Sequence, residues 1–182
     1  KLKNIIEGKN KPWIGIAPFA AFKSKTYSLL LMQEVIKSLS TTNTILLFGG
    51  GDKEVKALNA IANSNINTVN LAGKLSLDEE LDIISNLEVM ISMDSGNAHI
   101  AAMLGIEVIT IWGVTHPYAG FYPFNQSTEN ALLTNRNKYP LIPTSIYGNT
   151  FPKGYEDAIN SILPEEVVAK ATSILQKKPH KK

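Results

Sequence analysis

The sequence contains no cysteine, so neither a disulfide framework nor a thiolate metal site can form. This absence is compatible with a reducing cytoplasm but does not establish that location. No apolar run approaches the ~20 residues that a membrane-spanning helix needs. The chain begins with Lys rather than Met, and no signal-peptide pattern follows, which indicates a cut made in a longer protein. We therefore expect a cytoplasmic domain without a transmembrane segment.

Arginine and surplus charge are also scarce. Eighteen basic and 16 acidic residues give a net charge of +2, and Arg136 is the single arginine. A nucleic-acid surface more often uses arginine and interleaves aromatic residues along one face. The sequence therefore does not predict a nucleic acid as a partner.

The 182 residues suit one domain, which we expect to span residues 1–176 because no internal boundary is visible. The tail at residues 177–182 has the sequence Lys-Lys-Pro-His-Lys-Lys. This composition is typical of a solvated, disordered end, and the alternative is a basic contact to an anionic membrane.

Short apolar runs rich in β-branched residues alternate with helical periodicity. Strands are predicted at 13–17, 44–48, 68–71, 89–93 and 108–112, with a sixth at 130–134. Helices are predicted at 26–39, at 53–63, after Ser76, at 98–104, at 155–162 and after Pro164, and residues 135–152 form a loop. Strands that are apolar throughout indicate a parallel sheet covered on both faces. The fold class is therefore α/β, a doubly wound, Rossmann-like parallel sheet.

The strongest local signal follows the fourth predicted strand, where residues 93–102 read Met-Asp-Ser-Gly-Asn-Ala-His-Ile-Ala-Ala. A strand, a tight turn at Gly96 and an immediate helix leave unpaired N–H groups that suit an anion. His99, one turn along, can donate to a phosphate oxygen, whereas Asp94 suits sugar hydroxyls. The residues alone leave an equal alternative, in which Asp94 and Ser95 are helix caps and His99 is a packing residue.

The pattern Asp-Ser-Gly-x-x-His-x-Ala-Ala, followed by a strand and by Trp-Gly-Val-Thr-His-Pro at residues 112–117, resembles glycosyltransferase family 9. That family contains the lipopolysaccharide heptosyltransferases. Further matches in the family's order lie at residues 25–27, 48–54, 70–77 and 162–167. The resemblance implies one half of a GT-B glycosyltransferase, in which two Rossmann-like halves face each other across a cleft. This chain corresponds to the C-terminal half, which holds the sugar donor.

The resemblance also implies roles at the diphosphate of a nucleotide-sugar donor. Lys25 should contact the phosphates as a compact point charge, and Lys23 is a second candidate for that role. Ser95, Gly96 and His99 should hold the same phosphates. Lys25 is thereby expected to take part in catalysis.

Three more positions follow for the rest of the donor. Asp94 should hold the sugar and is the second expected catalytic residue. Glu54 should accept hydrogen bonds from the ribose hydroxyls, as acids at strand ends do in dinucleotide folds. Leu75 should line the base pocket.

The expected function is inverting transfer of a heptose, or a related sugar, from a nucleotide diphosphate to a lipopolysaccharide-type glycolipid. The expected donor is ADP-heptose, and the acceptor and the general base belong to the missing N-terminal half. The resemblance implies that no metal or other cofactor is needed, and the absence of an Asp-x-Asp pair agrees with this expectation. Such an enzyme would act in the bacterial cytoplasm or at the inner face of the inner membrane.

A second hypothesis remains from the same residues. Ala20 and Ala21 stand where the family often has small hydroxylated residues, so possible phosphate donors are missing there. The alternative is therefore a nucleotide or nucleotide-sugar binding module without a catalytic role.

Overall fold

The apolar runs of the sequence form the centre of a parallel sheet. The computed structural model describes residues 12–177, and its strands are β1 Trp13–Ala17, β2 Thr44–Leu47, β3 Thr68–Asn70, β4 Val89–Met93, β5 Glu107–Trp112 and β6 Ala131–Leu133. Their order in the sheet is β3-β2-β1-β4-β5-β6, and every neighbouring pair is parallel. The predicted doubly wound sheet is confirmed, including a sixth strand.

Helices cover both faces of the sheet. The helices are α1 Leu29–Leu39, α2 Gly51–Ser64, α3 Leu77–Ile84, α4 Gly96–Met103 and α5 Pro164–Lys177. The apolar sides of α1, α2 and α5 pack in one buried cluster, together with Ile45 and Leu47 of β2. Those of α3 and α4 pack in a second cluster, together with Leu46. Because alternate strand residues point to opposite faces, the four central strands β1, β2, β4 and β5 each contribute to both clusters.

The helix starts differ in how well the sequence predicts them. Ser76 and Glu79 form the expected capping box at α3. The predicted start of the first helix at residue 26 is wrong, because α1 begins at Leu29. Residues Lys23–Lys25 form a 3-10 turn instead, and the helix predicted at 155–162 is also a 3-10 turn, at Ala158–Ser161.

The ends and the long loop complete the description. Lys177 is the last residue of α5, and residues 178–182 of the predicted disordered tail lie outside the described residues. Residues 135–152 form a loop, as predicted. In the part of the chain that is described, no helix is both long and apolar enough to cross a bilayer.

Tyr27 anchors the segment between β1 and α1 to the core through burial of its side chain and one hydrogen bond. Its side chain is fully buried, and its hydroxyl donates a hydrogen bond to the carbonyl oxygen of Ile162 over 2.7 Å. Burial is the main reason why the pKa of the Tyr27 phenol is raised, so the hydroxyl stays protonated as a donor. The bond joins the start of α1 to the segment that precedes α5.

We expect Tyr27→Phe to lower the free energy of unfolding by about 1–3 kcal/mol, because the buried carbonyl of Ile162 loses its donor. Urea unfolding followed by circular dichroism measures this change. Tyr118→Phe is the matched control, since the Tyr118 side chain is 87% exposed. Equal stability of Tyr27→Phe and the unsubstituted chain would show that this bond does not stabilise the fold.

Candidate functional site

The carboxyl ends of β1 and β4 are the natural place for a ligand in this sheet. The two strands are neighbours, but the chain leaves β1 towards β2 and leaves β4 towards β5, on the other side. Such a change of direction opens a crevice at the carboxyl edge of a doubly wound sheet. The residues singled out in the sequence follow these same strands.

The 3-10 turn that carries Lys25 is fixed by its neighbour Ser24. The Ser24 side chain is buried, and its hydroxyl donates to the carbonyl oxygen of Gly148. Its own carbonyl oxygen accepts a hydrogen bond from the Val114 N–H over 3.4 Å. A Cβ atom at Gly113 would overlap this carbonyl, so the close approach requires glycine. The position of Lys25 therefore depends on the segments that follow β5.

Lys25 forms an ion pair with Asp94, the first residue after β4. The distance from Lys25 Nζ to Asp94 Oδ2 is 3.1 Å, and the side chains are 12% and 6% exposed. Thr115 Oγ1 donates to the same Oδ2 over 3.0 Å. The pair and the hydroxyl join the carboxyl ends of β1, β4 and β5. Asp94 Oδ1 takes part in neither bond.

Helix α4 starts beside this ion pair without a side-chain cap. Ser95 occupies the N-cap position, but no side chain accepts from the first-turn N–H groups. The Ser95 hydroxyl is instead 3.0 Å from the Ser92 hydroxyl. The Ser95 side chain therefore does not cap the helix, whereas the alternative that His99 is a packing residue stays a prediction. Gly96 is exposed with open space around it, so the polarised helix start is open to an anion.

A pocket of ≈ 270 Å³ lies at the same edge, above β1 and β2. Its walls are residues 17 and 19–21, residues 48–50, and the side chains of Glu54, Glu80 and Asn97. Glu54 Oε2 accepts a hydrogen bond from the Gly50 N–H over 2.9 Å. Asn97 Nδ2 donates to Glu80 Oε1 over 3.4 Å. Burial raises the pKa of the Glu80 carboxyl, and the bond from Asn97 opposes that shift.

The other predicted site residues lie around these two features. His99 is half-buried on the first turn of α4, and within residues 12–177 it makes no hydrogen bond to Lys25 or Asp94. Lys23 is exposed, in contrast to Lys25. Leu75 packs against the apolar cluster under α3 and α4 and is not among the residues that line the pocket.

Sequence reasoning missed several contributors. Thr115 carries a signal, because it belongs to the motif that follows the fifth strand, but its contact with Asp94 is visible only in three dimensions. Gly148 lies in the loop after β6 and carries no signal. Glu80 belongs to an acidic run at the start of α3. Among residues 12–177 no group of three or more metal-ligating side chains is arranged to hold an ion.

The comparisons with known proteins agree with this architecture. The family model "Glycosyltransferase family 9 (heptosyltransferase)" matches residues 2–150. The chain belongs to glycosyltransferase family 9. Lipooligosaccharide heptosyltransferase 2 of Campylobacter jejuni subsp. jejuni is 26% identical over 177 residues, which are 94% of this chain and 54% of that protein. The chain thus spans about half the length of the curated relatives that it matches.

Solved structures share the fold of this family 9 chain. The Escherichia coli ADP-heptose lipopolysaccharide heptosyltransferase II superposes with a TM-score of 0.72 at 22% identity, over 97% of this chain and 50% of that one. The E. coli heptosyltransferase WaaC with ADP gives a TM-score of 0.70 at 16% identity, over 95% of this chain and 48% of the other. The fold is that of half of a GT-B heptosyltransferase.

We expect Gly148→Ala to destabilise the family 9 chain by about 1–3 kcal/mol more than Gly154→Ala does. Both glycines have positive φ, 79° and 91°, so both substitutions carry the strain of about 1–2 kcal/mol that a side chain meets there. Only a Cβ at Gly148 would also crowd Lys25, at 2.8 Å from its Cγ, whereas a Cβ at Gly154 meets open space. Urea unfolding of both variants measures the difference, and equal losses would contradict the role of Gly148 in packing Lys25.

Proposed function

We propose that this chain is the donor-binding half of an inverting glycosyltransferase. The whole protein would transfer a heptose, or a related sugar, from a nucleotide diphosphate to a lipopolysaccharide-type acceptor. Residues 1–176 form the donor-binding domain, and the acceptor site lies in the half that this chain does not contain. The enzyme works in the cytoplasm or at the inner face of the inner membrane.

The observation that carries the proposal is the uncapped start of α4 beside Lys25. The helix start presents partial positive charge. The ammonium group of Lys25, which is paired with the adjoining Asp94, lies beside it. A diphosphate needs both kinds of group, hydrogen-bond donors and positive charge. Family membership supports this assignment, since the curated relatives are heptosyltransferases, and the E. coli heptosyltransferase WaaC, which shares the fold, was solved with ADP.

The same groups would promote the reaction. When the bond from the sugar to the diphosphate breaks, negative charge grows on the leaving phosphate oxygens. Lys25 and the N–H groups of Gly96 and Asn97 stabilise that charge, because they are already oriented when the reaction begins. His99 adds a donor from the first turn of α4, and Ser95 adds its hydroxyl.

Asp94 would bind the sugar through its second carboxylate oxygen, Oδ1. Oδ2 is held by Lys25 and Thr115, which leaves Oδ1 to accept a hydrogen bond from a sugar hydroxyl. Glu54 would accept from the ribose hydroxyls at the mouth of the pocket, and Leu75 would border the base. The general base that activates the acceptor belongs to the missing half, and donor binding requires no metal.

We predict that ADP binds to this chain through Lys25 and not through Lys23. Lys25→Gln should raise the dissociation constant of ADP about tenfold to a hundredfold, because a charge-assisted hydrogen bond contributes about 1.5–3 kcal/mol. Lys23→Gln, the matched control in the same turn, should change it less than twofold. Isothermal titration calorimetry in the presence of EDTA measures both constants and also tests binding without a metal.

Two outcomes would contradict this assignment. An equal loss in both lysine variants would mean that the turn acts through general charge rather than through the position of Lys25. Absence of ADP binding to the unsubstituted chain, with its fold verified by circular dichroism, would refute the donor site itself.

We also predict that the chain alone binds the donor but transfers no sugar. The reason is that the proposed general base and acceptor site lie outside it. Release of ADP from ADP-heptose in the presence of a heptose-free lipopolysaccharide acceptor measures transfer, with the full-length protein as the positive control. Turnover by this chain alone would contradict the division of roles, and a full-length protein that binds ADP-heptose without turnover would favour the binding-module hypothesis.

A further inference from the structure

The pocket above β1 and β2 has a charge character opposite to that of the Lys25 site. Two of its lining residues are acidic, Glu54 and Glu80, and none is basic. Apart from Asn97, the rest of its wall is small or aromatic, with Phe19 and Phe48 as the large members. Carboxylates repel phosphate, so this pocket suits an uncharged group that carries N–H or O–H donors.

The two acids reach the pocket from opposite sides of the sheet. Glu54 lies on α2, whose residues Leu58 and Ile61 belong to the buried cluster on one face. Glu80 lies on α3, whose residues Ile83 and Ile84 belong to the cluster on the other face. A ligand group between them therefore meets an acceptor on each side of the carboxyl edge.

The protein supplies Glu80 with one long side-chain hydrogen bond. It is half-buried, and its bond from Asn97 measures 3.4 Å, at the long end for a hydrogen bond. Burial raises the pKa of its carboxyl, because a carboxylate loses hydration there. A further donor at this carboxylate would offset part of the lost hydration.

Asn97 connects this acid to the proposed phosphate site. It is the second residue of α4 and follows Gly96 directly. Its side chain holds Glu80, while its position on the helix places its backbone at the start of α4. The pocket with Glu80 and the proposed phosphate site therefore adjoin each other at Asn97.

We propose that Glu80, held by Asn97, is a specificity-determining residue that accepts a hydrogen bond from the nucleoside part of the donor. This inference rests on the proposed function, in which the diphosphate of the donor binds at Lys25 and at the start of α4. The nucleoside offers two kinds of donor, an exocyclic amine of the base and the ribose hydroxyls. Glu80 thus adds a contact on the α3 side of the pocket, opposite Glu54.

The decisive experiment compares ADP with inorganic pyrophosphate, using protein-observed NMR titration to reach weak affinities. Glu80→Leu should weaken ADP about tenfold, since it removes one charge-assisted hydrogen bond. Pyrophosphate should bind as before or more tightly, because a nearby negative charge is gone. Asp82→Leu is the matched control, an exposed acid of the same helix, and should change neither affinity.

A second variant guards against a folding defect. Glu80→Gln keeps the size of the side chain and an oxygen for Asn97, and it should weaken ADP about threefold or more while pyrophosphate binding persists. The inference is overturned if Glu80→Gln binds ADP as the unsubstituted chain does, or if either Glu80 variant loses pyrophosphate affinity in parallel with ADP.

Further ligands separate this inference from the proposed function. Purine riboside diphosphate lacks the base amine, so Glu80 contacts that amine if Glu80→Gln no longer weakens binding of this ligand. Glu80 contacts the ribose if Glu80→Gln no longer weakens binding of 2′-deoxy-ADP. An unsubstituted chain that binds pyrophosphate as tightly as ADP retains its phosphate site but overturns the nucleoside contact. A chain that binds neither ligand refutes the proposed function and this inference with it.

Discussion

The buried ion pair of Lys25 with Asp94 organises the carboxyl edge of the sheet. It joins the turn after β1 to the end of β4, and Thr115 ties in the segment after β5 through the same oxygen. Removal of one partner from a buried pair leaves an uncompensated charge, which is strongly destabilising. The pair therefore fixes the ammonium group of Lys25 beside the uncapped start of α4. Family membership is shown by the family model that matches residues 2–150, and the proposed donor site depends on this local arrangement.

The basic and the acidic side chains lie at different places along the carboxyl edge of the sheet, and this arrangement would suit the parts of a nucleotide sugar. Lys25 and the start of α4 suit the diphosphate, whereas the pocket with Glu54 and Glu80 suits groups that donate hydrogen bonds. The two acids of the pocket repel phosphate, and the carboxylate at the Lys25 site, Asp94, is already paired with the lysine. Under the proposed function, a ligand that extends across both halves would therefore bind in one orientation.

The fold was accessible from the sequence, whereas the details of the site were less so. Ile14 and Ile16 of β1 are buried on one face of the sheet, and Leu46 of β2 is buried on the other. Because both faces are covered, these strands read as apolar runs in the sequence. The start of α1 was misplaced because Ser24 is held by Gly148, 124 residues away, and periodicity carries no information on such a contact. Glu80 follows two acids at the start of α3 and looks like one more solvated residue. Only the position of Asn97 on α4 distinguishes it.

The most direct test of this account is an NMR titration of the ¹⁵N-labelled chain with pyrophosphate. The amide signals of Gly96 and Asn97 and the ammonium signal of Lys25 should shift together and saturate with one dissociation constant. The amide of Leu29 is the internal control, because α1 also starts without a side-chain cap hydrogen bond but lacks a buried lysine beside it, and this signal should not move. Equal shifts at both helix starts, or shifts at Gly96 that do not follow those of Lys25, would contradict a site built on the Lys25–Asp94 pair.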